Sequence, residues 1–242
     1  MDPILKSLTL VNEVSLASIL ERITNTDKAI SIGFLNQYAY NLISSSDAIK
    51  ANFFDLDYLF RDGKGVELAC LYNNIDPQSN LNGTDFIPRL ISQLYLSNKE
   101  MTLFAYGTQQ PWLDIGATSL FNTSQYYSLN GFKDVDCYLE HNLQYQTESL
   151  NVVVLAMGMP KQELIATQLK LQSKNKMIII CGGAILDFQA GRVKRAPTIF
   201  RKLGFEWLYR FALEPKRLFS RYVVGIPLFF LNVYRSSTKR VL

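Results

Sequence analysis

"LNVVVLAMGMPKQELIATQLKLQSKNKMIIICGGAILDF", residues 150–188, is the stretch whose reading decides the fold. It begins as an apolar run, turns at Gly158 and Pro160, takes up helical spacing in "KQELIATQLKLQ", and returns to apolar "MIIIC" before Gly182 and Gly183. Neither apolar run alternates with polar residues, as a half-exposed strand would. The order strand, helix, strand predicts parallel strands joined by a crossover helix.

The same alternation continues towards the N-terminus. "KAISIGFLN" reads as a strand ending in a polar turn, with a helix from Gln37. "FFDLDYLF" reads as the next strand, cut by "RDGKG", after which "VELACLYN" has helical spacing. "MTLFAYGT" reads as a strand and glycine turn, and "PWLDIGATSLFN" as its helix, with Pro111 suited to a first helical position. No internal repeat or low-complexity linker interrupts the series. The expected fold is α/β, a mostly parallel sheet covered by helices. Such sheets bind ligands at the carboxyl ends of their strands. The turns there hold Asn36, Asp62, Gly63, Gly65, Gly107, Gly158, Gln162, Gly182 and Gly183, which are expected to share one cleft. None of them forms a G-x-G-x-x-G fingerprint or a Walker A loop.

Composition bounds the rest. With 242 residues, 48% hydrophobic and 19% charged, the chain can bury a full core. Its charge is uneven: residues 1–191 hold 13 Lys+Arg against 19 Asp+Glu, a net of −6, and residues 192–242 hold 12 against 2, a net of +10. A basic tail after an acidic body points to a polyanionic surface or ligand. "MDPILKSLTL" shows no export signal, and "YVVGIPLFFLNVY" is too short for a bilayer, which needs about 20 apolar residues. Cys70, Cys137 and Cys181 lie in or beside apolar runs and are expected to be buried thiols in a reducing compartment.

Few residues offer chemistry. The single histidine, His141, falls on an expected helix and suits a structural role, and one His with three scattered Cys makes no zinc set. Two D-x-D pairs, Asp55 with Asp57 and Asp134 with Asp136, have the form of a metal-diphosphate site. Asp55 and Asp57 read equally as the polar face of a strand, and "KDVDCYLE" as a helix start. Asp62 follows an apolar run and precedes Gly63 and Gly65, so its carboxylate should project from a tight turn, as a general base or as a helix cap. In the tail, Pro215 should start a helix on which Arg217 and Arg221 share a face beside Leu218, Phe219 and Tyr222. Three readings of it stand open: an anionic membrane or lipid phosphate, a docked structural helix, and single-stranded nucleic acid.

"VVVLAMGMPKQE", "CGGAILDFQAGRVKRAP" and "LGFEWLYRFALEPKRLFSRYVVGIPLFFLNV" closely resemble the WecG/TagA/CpsF glycosyltransferases, glycosyltransferase family 26. "RDGKGVELA", "NGTDFIPRL" and "FAYGTQQ" fit the same pattern in the same order, over residues 30–235. The resemblance implies a Rossmann-like core, assigned to 1–191, and a basic helical C-terminal appendage, 192–242, at the cytoplasmic face of the bacterial inner membrane. It implies inverting transfer of a sugar from a UDP-sugar to an undecaprenyl-diphosphate-linked saccharide in surface-polysaccharide synthesis, without metal or other cofactor and without nucleic acid. A homo-oligomer is compatible with it.

By that resemblance Asp62 is the catalytic base. Gln162 and Asp187 match nucleotide-sugar pocket positions, and Arg210, Arg217 and Arg221 match arginines that meet the lipid diphosphate and the membrane. Beside these, Gly63, Thr84, Asp85, Gly107 and Gly182 are expected at the substrate from their own turns and motifs, Asn36 as a sugar contact or only the closure of its turn, and Glu163 as a substrate contact or a helix-start residue favoured by the helix dipole. One departure bears on the donor. Where the N-acetylmannosamine transferases of the family carry Thr-x-Asn near the end of the first strand, this chain has Phe34, Leu35 and Asn36. A hydroxyl is replaced by an aromatic face, which favours a glucose donor over N-acetylmannosamine.

Overall fold

The computed structural model describes residues 2–202 and 204–238. Leu203 and the last four residues of the assigned appendage, 239–242, lie outside the described residues. After the short α1 (Pro3–Lys6) and α2 (Glu13–Thr24), the chain enters β1 (Ala29–Leu35), then α3 (Gln37–Ser45) and α4 (Asp47–Phe54). There follow β2 (Tyr58–Arg61), α5 (Lys64–Tyr72), α6 (Gly83–Leu96), β3 (Met101–Gly107), α7 (Trp112–Phe121), β4 (Tyr127–Leu129) and α8 (Val135–Tyr145). The opening stretch forms β5 (Leu150–Ala156), α9 (Lys161–Gln172), β6 (Met177–Cys181) and α10 (Ile185–Gln189). The tail adds α11 (Thr198–Lys202), α12 (Glu206–Leu213), α13 (Pro215–Phe219), a π-helical turn (Ser220–Val224) and α14 (Gly225–Thr238).

The six strands form one parallel sheet in the order β2-β1-β6-β5-β3-β4. The two-faced burial expected from the apolar runs is what the structure shows. Ile178 and Ile180 of β6, and Val152 and Val154 of β5, join one core with α2, α6 and α7. Their neighbours Ile179, Val153 and Leu155 join a second core with α3, α5, α8 and α9. Register keeps the carboxyl ends level: Leu35 pairs with Arg61, Leu155 with Cys181, and Gly107 with Ala156. At Gly107 a side chain would meet the Ala156 carbonyl oxygen at 2.2 Å, so glycine is what lets β3 lie this close to β5.

The stretch "FFDLDYLF" departs from its expected strand. Ser46 accepts the Ile49 N–H and starts a helix that runs through Phe53 and Phe54, with buried Phe53 on its inner face. The strand begins only at Tyr58. Asp55 therefore caps a helix, and Asp57 accepts from the Ser31 N–H (2.8 Å) and hydroxyl (3.0 Å) and pairs with Lys170 (3.1 Å). The first D-x-D pair is a structural tie. Cys70 and Cys181 are buried as expected, but Cys137, at the exposed start of α8, is only half-buried.

The tail returns to the body. Phe229, fully buried, and Val233 belong to the second core, with the Phe229 ring 5.1 Å from that of Tyr40. Asn41 donates to the Gly225 carbonyl and accepts from Asn232. Among the described residues no helix is long and apolar enough to cross a membrane.

Candidate active site

All six strand ends open into one cleft of about 480 Å³. Phe34 and Asn36 come from β1, Asp62 from β2, Thr108 from β3, Gly131 from the loop after β4, Gly158 from β5, and Gly182 and Gly183 from β6. Thr84 at the start of α6 and Asp187 on α10 also line it. The far wall is the tail: Arg192, Arg210, Glu214, Arg217 and Arg221.

Asp62 sits one residue beyond β2, where its N–H continues the ladder to the Leu35 carbonyl (2.9 Å). The turn is braced from behind. Buried Arg61 donates from Nε to the Pro77 carbonyl (2.8 Å) and from Nη2 to that of Gln78 (2.9 Å), while Asn80 accepts the Gly63 N–H (2.8 Å). Gly63 is the N-cap of α5 and no side chain caps it, so Asp62 is not spent as a helix cap. Burial raises its carboxyl above the ordinary range; Asn36 opposes this by hydrogen bonding, Glu206 adds to it, and Arg221 and Arg210 oppose it. A carboxylate shifted upward and fixed in a cleft is suited to taking a proton.

The arginines are held by rings of the body. Arg221 lies 4.7 Å from the Tyr38 ring centre, and Arg210 lies 5.5 Å from that of Phe188. Both have a buried Nε that no acceptor reaches among the described residues. Arg217 differs: it is exposed and paired through two hydrogen bonds with Glu214. A π turn carries Arg221, the kind of helical irregularity that often re-aims a functional side chain.

Several expected site residues lie off the cleft or are committed to protein partners. Asp85 pairs with Arg195 at 2.5 and 3.0 Å, which holds its carboxyl low. Gly63 and Gly107 shape the backbone and do not line the cavity. Asn36 does line it, while its Oδ1 caps α3 by accepting the Tyr38 and Ala39 N–H groups. Gln162 borders the cavity yet is fully buried, and Glu163 is sealed beneath it. Glycine N–H groups, a natural source of charge stabilisation, are committed at one turn: Gly182 donates to Leu155 (2.7 Å) and Gly183 to Gln162 (3.0 Å). Asp187 accepts from Thr108 (2.6 Å) and Arg192 (3.2 Å). Thr108, Tyr38, Arg192 and Glu214 went unpredicted. Only Arg192 carried a signal, in the basic run after α10. His141 bonds the Tyr106 hydroxyl (2.9 Å) away from the cleft. Among the described residues no group of three His, Cys, Asp or Glu side chains is placed to hold a metal.

The glycosyl transferase WecG/TagA/CpsF family model matches residues 5–241, and the chain belongs to that family. Its chemistry is therefore glycosyl transfer, for which the family in general uses a nucleotide-sugar donor and a lipid-linked acceptor.

Proposed function

We propose, taking membership of the WecG/TagA/CpsF family as premise, that the protein is an inverting hexosyltransferase. It moves glucose in preference to N-acetylmannosamine from a UDP-sugar to a polyprenyl-diphosphate-linked saccharide. It works at the cytoplasmic face of the bacterial inner membrane, bound there peripherally, in exopolysaccharide or other surface-polysaccharide synthesis. The observation that carries this reading is the opposition of Asp62 on one cleft wall to Arg210 and Arg221 on the other.

Asp62 takes the proton of the acceptor hydroxyl as its oxygen attacks the anomeric carbon. The bond from that carbon to the diphosphate oxygen breaks, and UDP leaves with the electron pair. Attack from the face opposite the leaving group inverts the centre. With the Gly182 and Gly183 N–H groups already bonded, the arginines are the source of positive charge for the departing diphosphate. Four arginines against three carboxylates line the cleft, with Arg210 and Arg221 least committed to protein acceptors.

The sugar preference rests on Phe34. Its ring packs into the first core against Phe86 (6.0 Å) and Phe60 (6.1 Å) at the cleft margin, so this position offers a sugar no hydroxyl. The exposed apolar residues of the tail, among them Phe219, Val223, Val224, Phe230 and Leu231, support membrane contact. The test is UDP release from a panel of UDP-sugars with a short lipid-diphosphate saccharide. Release from UDP-glucose that requires the acceptor supports the reading; release only from UDP-N-acetylmannosamine overturns the sugar assignment.

A further inference from the structure

Glu163 is a carboxyl that the transfer step leaves unused. It lies in the first turn of α9, is 0% exposed, and makes one side-chain hydrogen bond, accepting from Gln162 Nε2 at 2.7 Å. Its Oε2 is buried without a partner among the described residues. Gln162, also 0% exposed, turns its Oε1 to the Gly183 N–H at 3.0 Å. Gly183 has φ +59°, and its turn forms part of the cleft wall. The three groups make a line from a sealed carboxyl to the wall of the cleft.

The orientation of the Gln162 amide is the point at issue. Turned over, it would set an N–H against the Gly183 N–H, and the turn would lose its acceptor. What prevents this is an acceptor at Glu163 that engages Nε2. We propose that Glu163 is a positioning residue that fixes the Gln162 amide against the Gly182–Gly183 turn and weakens the cleft for anionic ligands when it gains charge.

Among the described residues the surroundings supply no cation to hold a charged form. Of the strands packed on α9, β1 and β5 carry no titratable side chain and β6 carries only Cys181, whose thiol burial and Glu163 push upward. The facing helix α4 has Asp47 and Lys50. Helix α8 has Asp136, Cys137, Tyr138, Glu140, His141 and Tyr145, and none of these forms an ion pair with Glu163. On α9 itself, Lys161 donates to the Gly131 and Lys133 carbonyls, and Lys170 is bound to Asp57. Burial accordingly pushes the Glu163 carboxyl up to about 7.

This inference rests on the nucleotide-sugar reading, and its test separates the two. The full-length protein and its Glu163→Gln and Glu163→Leu variants are titrated with UDP-glucose by calorimetry, at about pH 6 and about pH 8, with a thermal melt of each. UDP-glucose is the probe because its diphosphate loses no proton in that range. The wild type is expected to bind about fivefold more weakly at the higher pH, the part of a one-unit pKa coupling expressed one unit above a pKa of about 7. Glu163→Gln, which keeps an acceptor and cannot ionise, should match the wild type at low pH and lose less affinity as pH rises. Glu163→Leu should bind about tenfold more weakly at both, the usual result of losing a buried acceptor. A Glu163→Gln profile that falls as steeply as the wild type overturns the proposal, as does native affinity in folded Glu163→Leu. Failure of the wild type to bind UDP-glucose at either pH overturns the glucose assignment, and the same titration with UDP-N-acetylmannosamine then decides the role of Glu163; failure to bind either overturns the nucleotide-sugar reading and the inference with it.

Discussion

Arg221 stands 4.7 Å over the ring of Tyr38, joining the tail of the chain to the first turn after β1. Tyr38 is two residues from Asn36, which lines the cleft with Asp62 and opposes the rise of its carboxyl pKa. The guanidinium thus reaches the cleft from outside the sheet and is desolvated there, which lowers its pKa from the usual arginine value. An arginine half-buried on the cleft wall, with no acceptor at Nε among the described residues, is poised for an anion.

Replacement of the proposed base is the first prediction. Asp62→Asn should lower turnover by about 10² to 10⁴, the usual contribution of a positioned general base. It should not lower stability. Burial raises the Asp62 pKa on folding, so its contribution to stability is present below the unfolded pKa and lost as pH rises through the folded one. A neutral side chain escapes that loss, and the variant should melt at or above the wild-type temperature near neutrality. Steady-state kinetics and a melt check both parts; near-native turnover removes Asp62 from the role.

The second prediction concerns pH and activity. Asp62 acts as the anion, so kcat/KM should rise with pH through its shifted pKa, along a limb above the ordinary carboxylate range. Arg221 opposes the upward shift. Arg221→Ala should therefore move the limb to still higher pH and also reduce the plateau. A limb that stays in place in this variant would detach Asp62 from the profile.

A third prediction addresses the D-x-D pairs. Asp57→Ala leaves the Ser31 N–H and hydroxyl without their acceptor and should cost about 1–3 kcal/mol of stability in urea unfolding. Turnover per folded molecule should hold, and so should activity in chelator, since arginines line the cleft. Complete loss in chelator, restored by manganese or magnesium, would contradict this.

For the tail, two functions separate by residue. Phe229→Ala should cost about 3–5 kcal/mol, the range for truncating a buried aromatic, and cutting the chain after Lys194 should destabilise the body. Lys216 and Arg217 are exposed, and each charge removed should weaken binding to anionic liposomes roughly fivefold, from about 1 kcal/mol per cation. High salt should act in the same direction. Co-sedimentation that is indifferent to both changes would leave the tail a structural helix.

The fold was legible because β6 is apolar throughout and β5 is apolar at all but Asn151, with every position of both buried, the pattern of a sheet covered on both faces. That Asp62 reaches the cleft was legible from its place between an apolar run and Gly63, but the bare Gly63 cap, which separates it from a helix-capping role, was not. The end of α4 was not, since Phe53, Phe54 and Leu56 fit a strand's apolar content while the helix is set by the Ser46 cap and the burial of Phe53. Nor was the docking of α14, where "GIPLFFLN" offers the same apolar residues to a membrane and to a core. The sealing of Gln162 and Glu163 depends on how tightly β6 and α9 pack, which no spacing in one segment reveals.

The placing of β1 between β2 and β6 has a consequence for how the molecule is made. As the chain leaves the ribosome, β1 can pair with β2 early, but its other edge stays open until β6 has been synthesised. Loop closure over that distance is slow, and an unpaired strand edge invites association with other chains meanwhile. The cleft thus has no floor during most of synthesis: a nascent chain holds Asp62 on a two-stranded fragment, far from any wall of arginines, and gains a place to bind only once the sheet closes and the last helix settles over Tyr40.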